Sequence, residues 1–194
     1  MWLWRKLYRL IIPDMQLDLN QNYFELFGLP VDFQLDKRQM HDNHQKLQAA
    51  YHPDRFISGS DQEKRLAVQK AAWINEAYEI LHNPVKRARY MLEIAGLDMN
   101  DEHETTSDTA FLMEQIEIRE EMDQCKSCQD PMRCCDHVTG KLDQRSKEYA
   151  EQFETLYQDG KLEQARQVSK KMQFVQRILD QLDDMQFELE DQLF

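Results

Sequence analysis

The tripeptide His52-Pro53-Asp54 sits between two stretches of helical periodicity, and its proline leaves the chain little choice of shape there. The residue before a proline is pushed out of the α region, so a helix arriving from upstream must stop at Pro53. Upstream, Asp36 followed by Gln39 has the pattern of a capping box. From there Met40, His44, Leu47 and Tyr51 recur on one helical face. Downstream, a Ser/Gly loop leads to Ser60 and Glu63, a second capping-box pair that opens a long helix. Its stripe is Leu66, Lys70, Trp73, Ala77 and Leu81, widened by Ile74 and Ile80. The expected product is a helical hairpin with a proline-braced tip.

The flanking segments extend this plan. Residues 22–29 read as a short helix ended by Gly28 and Pro30, and Asn83-Pro84 closes the long helix and opens another. Proline suits the first helical position, where its missing N–H costs nothing. Gly96 terminates that helix, which carries Tyr90, Leu92 and Ile94. Three further helices are expected at about 108–125, 136–158 and 161–192, with Asp159-Gly160 between the last two. The final stripe is Val168, Met172, Val175, Leu179, Leu182, Leu189 and Leu193, and short loops favour antiparallel packing. Only five Gly and five Pro in 194 residues argue against a many-stranded β protein. The predicted fold is therefore all-α: an N-terminal extension of unassigned role (1–21), a hairpin domain (22–97), a polar linker (98–108) and a C-terminal three-helix domain (109–194).

The net charge of −12 is unevenly spread. Residues 22–97 carry 10 Lys+Arg and 10 Asp+Glu, whereas residues 98–194 carry 11 against 24. An acidic surface repels phosphate backbones, which excludes nucleic acid and favours a basic patch on a protein partner. The N-terminal run MWLWRKLYRLII is too short to span a bilayer, which needs about 20 apolar residues. No small-residue cleavage site follows it, and Pro13-Asp14 interrupts it, so it does not read as a signal peptide. A membrane-surface helix, or an extension ahead of Met15 as the working start, are the readings left, and a membrane is not an expected partner. Nothing marks the chain for export, so a cytoplasmic location is expected, with cysteines reduced or metal-bound.

With those residues in place a family likeness becomes visible. Tyr23-Phe24-Glu25-Leu26-Phe27-Gly28-Leu29, the His52-Pro53-Asp54 loop and Ile74-Asn75-Glu76-Ala77-Tyr78-Glu79-Ile80-Leu81 resemble the J-domain signature. Asn83-Pro84 with Arg87-Ala88-Arg89-Tyr90, and then Ala110-Phe111-Leu112-Met113-Glu114-Gln115, extend the resemblance to the HscB family of iron–sulfur cluster co-chaperones. The likeness spans about residues 22–194. It implies an N-terminal J domain that docks on an HscA/DnaK-type chaperone and triggers its ATPase. The residue types suit that use. Proline limits the entropy lost on docking, and Asp54 offers a charge-assisted bond to an arginine. His52 and Arg55 flank the pair. Lys37, Arg38 and Lys46, with His41 and His44, give the preceding helix a cationic edge. The chain has no Gly-rich phosphate loop, so the enzyme is expected to be the partner.

Helix 108–125 has two apolar faces. With Leu112 at zero and about 100° per residue, Ile116 falls near 40° and Met113 near 100°. Phe111, Ile118 and Met122 cluster at roughly 240–280° and are assigned to the core. Leu112, Met113 and Ile116 then form an outward patch beside Glu117 and Glu120, unless both faces are buried. Phe174 lies about 120° from the centre of the last stripe and is expected at the surface as their companion. Similarity to HscB implies that this bundle binds an IscU-type scaffold through matching positions.

Cys125, Cys128, Cys134 and Cys135 depart from the family pattern. Four thiols in eleven residues suit zinc or a cluster, with His137 as a substitute ligand, although neighbouring Cys134 and Cys135 diverge. Unliganded thiols are the plain alternative, and no metal or cofactor is assigned. A redox CxxC is disfavoured without a thioredoxin-like βαβ pattern. A metal or cluster carrier using these cysteines stands as the alternative function.

Overall fold

The computed structural model describes residues 20–99 and 108–191, which form two compact units meeting at Asn83 and Pro84. Every regular element among the described residues is helical. The expectations for residues 1–19, for most of the linker and for Leu193 fall outside them.

In the first unit, α1 (Tyr23–Leu26) begins with a full capping box. Asn22 Oδ1 accepts from the Glu25 N–H at 2.9 Å, and Glu25 returns the favour to the Asn22 N–H at 3.1 Å. Gly28, at φ 61°, turns the chain away, and the Leu29 N–H reaches back to the Phe24 carbonyl at 2.9 Å. Only glycine takes that left-handed conformation without penalty. Next, α2 (Lys37–Tyr51) starts at Asp36, whose carboxylate accepts from the Arg38 and Gln39 N–H groups. The reciprocal half of this expected box is not made; the Gln39 amide donates instead to the Gly28 carbonyl at 3.4 Å. Ser60 and Glu63 do complete theirs at the head of α3 (Asp61–His82).

Helices α2 and α3 run antiparallel. His41 meets Tyr78, His44 meets Asn75, and Lys70 lies over the Tyr51 ring, so position rises on one helix as it falls on the other. Phe24, Phe27, Met40, Ile74, Ala77 and Leu81 are fully buried. The expected α3 stripe fails at one end: Leu66 is 42% exposed, and Ala67 is buried instead. By the same pairing the first turns of α3 face the short segment after His52, not a helix, so less apolar surface is covered there.

The second unit comprises α4 (Pro84–Ile94), α5 (Thr109–Cys125), α6 (Pro131–Gln158) and α7 (Leu162–Asp191). Helix α4 packs on α7 and falls within this compact unit. The Tyr157 hydroxyl donates to the Met91 carbonyl at 3.4 Å. Pro131 occupies the first turn of α6, which starts five residues earlier than the expected 136, with Asp130 capping the Arg133 N–H. Gly160, at φ 72°, reverses the chain between α6 and α7. Their shared core holds Leu142, Phe153, Val168, Met172, Val175, Ile178 and Leu182. No described helix is long and apolar enough to cross a membrane.

Candidate functional site

His52 ends α2 with extended backbone (φ −59°, ψ 129°), as the proline after it requires. Pro53–Phe56 then winds into a single 3-10 turn. The Asp54 N–H donates to His52 Nδ1 at 3.3 Å, and the Arg55 N–H donates to the His52 carbonyl at 3.0 Å. An Nδ1 that accepts a backbone N–H carries no hydrogen, so the neutral ring holds its proton on Nε2. The Asp54 carboxylate lies 3.6 Å from the same Nδ1, with the two side chains 59% and 77% exposed. Arg55 folds back to donate to the Ala49 carbonyl at 2.9 Å, bridging the turn to the last turn of α2. The result is a carboxylate presented to solvent from a turn whose backbone is already fixed.

The cationic residues do not converge on this turn. Lys37, Arg38 and Lys46 are all exposed on α2. Lys46 lies six residues from His52, about 9 Å along the axis, while Lys37 lies about 22 Å away. Lys37 and Lys46 are nine residues apart, about 180° around the helix axis, so the three do not line one face.

Between α2 and α3 is an aromatic arrangement that periodicity did not reveal. The His44 ring stacks on Tyr78 at 4.0 Å, and Tyr78 stacks in turn on His82 at 5.4 Å. His44 Nε2 is 3.2 Å from Asn75 Oδ1. Burial holds the His44 imidazole below its ordinary value, more than the Asn75 bond raises it, with the neighbouring His41 also lowering it. The i, i+4 pair Tyr78 and His82 opposite His44 was the available signal, and it needed the antiparallel register to be read.

In the second unit α5 keeps the expected two faces. Phe111 is buried, whereas Leu112, Met113 and Ile116 are 40%, 53% and 49% exposed, with Glu117 and Glu120 exposed beside them. Ile118 and Met122 are only half-buried. Phe174 corrects the expectation: it is 6% exposed and packs edge-on against Phe111 at 5.6 Å, with Arg119 over its ring. Helix α7 is covered along more than one side, so its buried arc is wider than a single stripe. Lys171 beside it is also committed, donating to Asp108 Oδ2 at 2.7 Å and lying over Phe111. Along α5 the ion pairs Glu114–Arg145 (2.7 Å) and Glu121–Lys141 (2.9 Å) reach α6, and the Tyr149 hydroxyl donates to Glu114 at 2.7 Å.

The cysteines also depart from expectation. Cys125 and Cys134 are joined by a disulfide, while Cys128 is an exposed thiol and Cys135 a buried one. The reason is the early start of α6, which brings its first turn to a Cα separation of 5.3 Å from the end of α5, within disulfide range. Among the described residues no group of three or more His, Cys, Asp or Glu is placed to hold a metal ion.

Two family models match the chain: the DnaJ domain over residues 22–90 and the HSCB C-terminal oligomerisation domain over residues 107–183. A co-chaperone protein HscB homolog of Vibrio cholerae is 38% identical over 173 residues, 89% of this chain and 98% of the relative. One from Vibrio parahaemolyticus is 36% identical, covering 84% of this chain and 95% of its own length. The solved structure of chaperone HscB from Vibrio cholerae superposes with a TM-score of 0.78 at 34% identity, over 90% of this chain and 100% of that one. Human co-chaperone protein HscB shares the fold at 23% identity, with a TM-score of 0.79 over 86% and 82% of the two chains.

Proposed function

Since the chain belongs to the HscB family of J-domain co-chaperones, we propose that it stimulates the ATPase of an HscA/DnaK-type chaperone and delivers to it an IscU-type scaffold for iron–sulfur cluster assembly. One observation carries the chaperone half: the Asp54 carboxylate, 77% exposed, stands on a turn whose conformation is already set by Pro53, the His52 ring and Arg55. A carboxylate so placed can take a bidentate bond from an arginine without ordering a loop first. Lys37, Arg38 and Lys46 steer that approach to an acidic chaperone surface. The chain performs no hydrolysis itself; it changes the populations of the chaperone's conformations.

The scaffold half rests on Leu112, Met113 and Ile116, apolar side chains left in water beside Glu117 and Glu120. Such a patch lowers the free energy of association when covered, and its acidic neighbours select a basic rim. Phe174, buried under α5, supports the patch from behind by fixing Phe111. Two weak contacts on one chain raise the effective concentration of client at the ATPase. The work is assigned to the cytoplasm, where such chaperones act.

The test is a titration of purified HscA-type chaperone, with and without scaffold, against wild type and Asp54→Asn. Wild type accelerates ATP turnover and Asp54→Asn loses about 90% or more of the stimulation, as removal of a charged hot-spot contact of ~2 kcal/mol or more would do. Scaffold affinity by calorimetry stays the same. Equal stimulation by both proteins sinks the reading.

A further inference from the structure

Where α5 passes into α6, three cysteines lie within one turn and one disulfide of each other. Cys125 is the last residue of α5 and is fully buried; Cys134 lies in the first turn of α6 and is bonded to it. Cys128 sits in the intervening turn, exposed, and its N–H donates to the Cys125 carbonyl at 3.3 Å. Residues three apart in such a turn have Cα atoms within about 7 Å, close to the span a disulfide bridges. Cys135 is a poor competitor: it is buried, and burial pushes its thiol pKa up, which disfavours the attacking thiolate.

We propose that this junction is a thiol–disulfide exchange site, at which the exposed Cys128 displaces Cys134 from its bond with Cys125. The Cys128 thiol gives its proton to water, and the thiolate attacks Cys125 Sγ. The Cys125–Cys134 bond breaks as the Cys125–Cys128 bond forms, and Cys134 leaves with the electron pair and takes a proton from water. No electrons are gained or lost, so no oxidant or reductant is consumed. An external dithiol entering at the same site instead becomes oxidised by two electrons and leaves two thiols behind.

The two linkages differ in what they constrain. Cys125–Cys134 ties α5 to α6, whereas Cys125–Cys128 ties α5 only to the turn that follows it. That difference matters because Phe111 and Cys125 are the only buried residues of α5, one at each end. Exchange leaves the Phe111 end clamped on Phe174 and releases the other. The last turn of α5, Met122 to Cys125, is therefore the segment that loosens.

The full-length wild type and Cys128→Ser are held at pH 8, alkylated with iodoacetamide and mapped by proteolysis and mass spectrometry, with amide hydrogen exchange in parallel. Cys128 is exposed, so its substitution leaves the fold intact. The expected result is both linkages and alkylated Cys134 in wild type, and Cys125–Cys134 alone in the variant. Amides of Met122–Gln124 exchange about tenfold faster in wild type, and dithiothreitol brings the variant to the fast rate. The proposal is overturned by a single Cys125–Cys134 linkage in wild type, by rates indifferent to dithiothreitol, or by stoichiometric zinc on the four thiolates.

Discussion

The His52-Pro53-Asp54 turn and the outer face of α5 are both exposed, yet they are held in different ways. The turn is polar and fixed by bonds within a few residues: Asp54 N–H to His52 Nδ1, and Arg55 to the Ala49 carbonyl. The face of α5 is apolar, and its position depends on Phe111 at one end, Cys125 at the other and ion pairs to α6 between them. A short polar turn can be specified by its own tripeptide. An apolar face is specified only by what the opposite side of the helix buries.

The largest expected effect breaks that dependence. Phe174→Ala removes the ring against which Phe111 packs and costs about 3–5 kcal/mol of unfolding free energy. Ile116→Ala, on the outer face, stays within about 0.5 kcal/mol of wild type. Denaturant titration compares them directly, and equal losses would mean that α5 is buried on both sides. Next, Leu112→Ala combined with Met113→Ala weakens scaffold binding by about tenfold or more, ~1.4 kcal/mol, with the ATPase stimulation of the chaperone alone unchanged. Unchanged calorimetric affinity removes the patch from the reading.

Smaller effects probe the turn. Arg55→Gln loses the brace to Ala49, a partly solvated contact worth no more than about 1 kcal/mol, and raises the concentration needed for half-maximal stimulation about threefold. A rise with no change in maximal stimulation marks Arg55 as a positioning residue; lost maximal stimulation would place it in contact with the chaperone. The smallest effect is a pH dependence. The folded state holds the His44 imidazole below 6.5, chiefly by burial, so the unfolded chain binds that proton more readily. The stability from neutral His44 is present above that value and is lost as pH falls through the lowered folded value. Thermal unfolding between pH 7.5 and 5 should show a shallower decline for His44→Gln than for wild type.

Local signals were the ones legible in the sequence. Ser60 with Glu63, Pro53 after His52 and Gly160 after Asp159 each act on their own backbone, and each does in the structure what its chemistry predicts. Phe174 misled because one stripe was taken as the whole buried arc of α7, whereas α5 covers a second flank. The start of α6 was missed because it lies outside the periodic pattern, at a proline that suits the first helical position. The disulfide followed from that same misplacement, since the early start of α6 is what carries Cys134 to Cys125. The His44–Tyr78 stack joins residues 34 apart in sequence, and no periodicity within either helix encodes it.

The sparse burial of α5 also bears on how such a chain changes over generations. With two of its seventeen residues buried, substitutions at its exposed positions change the fold's stability little. Its outer face is therefore free to vary without compensating changes elsewhere. By contrast, the tripeptide at the end of α2 is bound into its own backbone geometry, and leaves almost no room for variation.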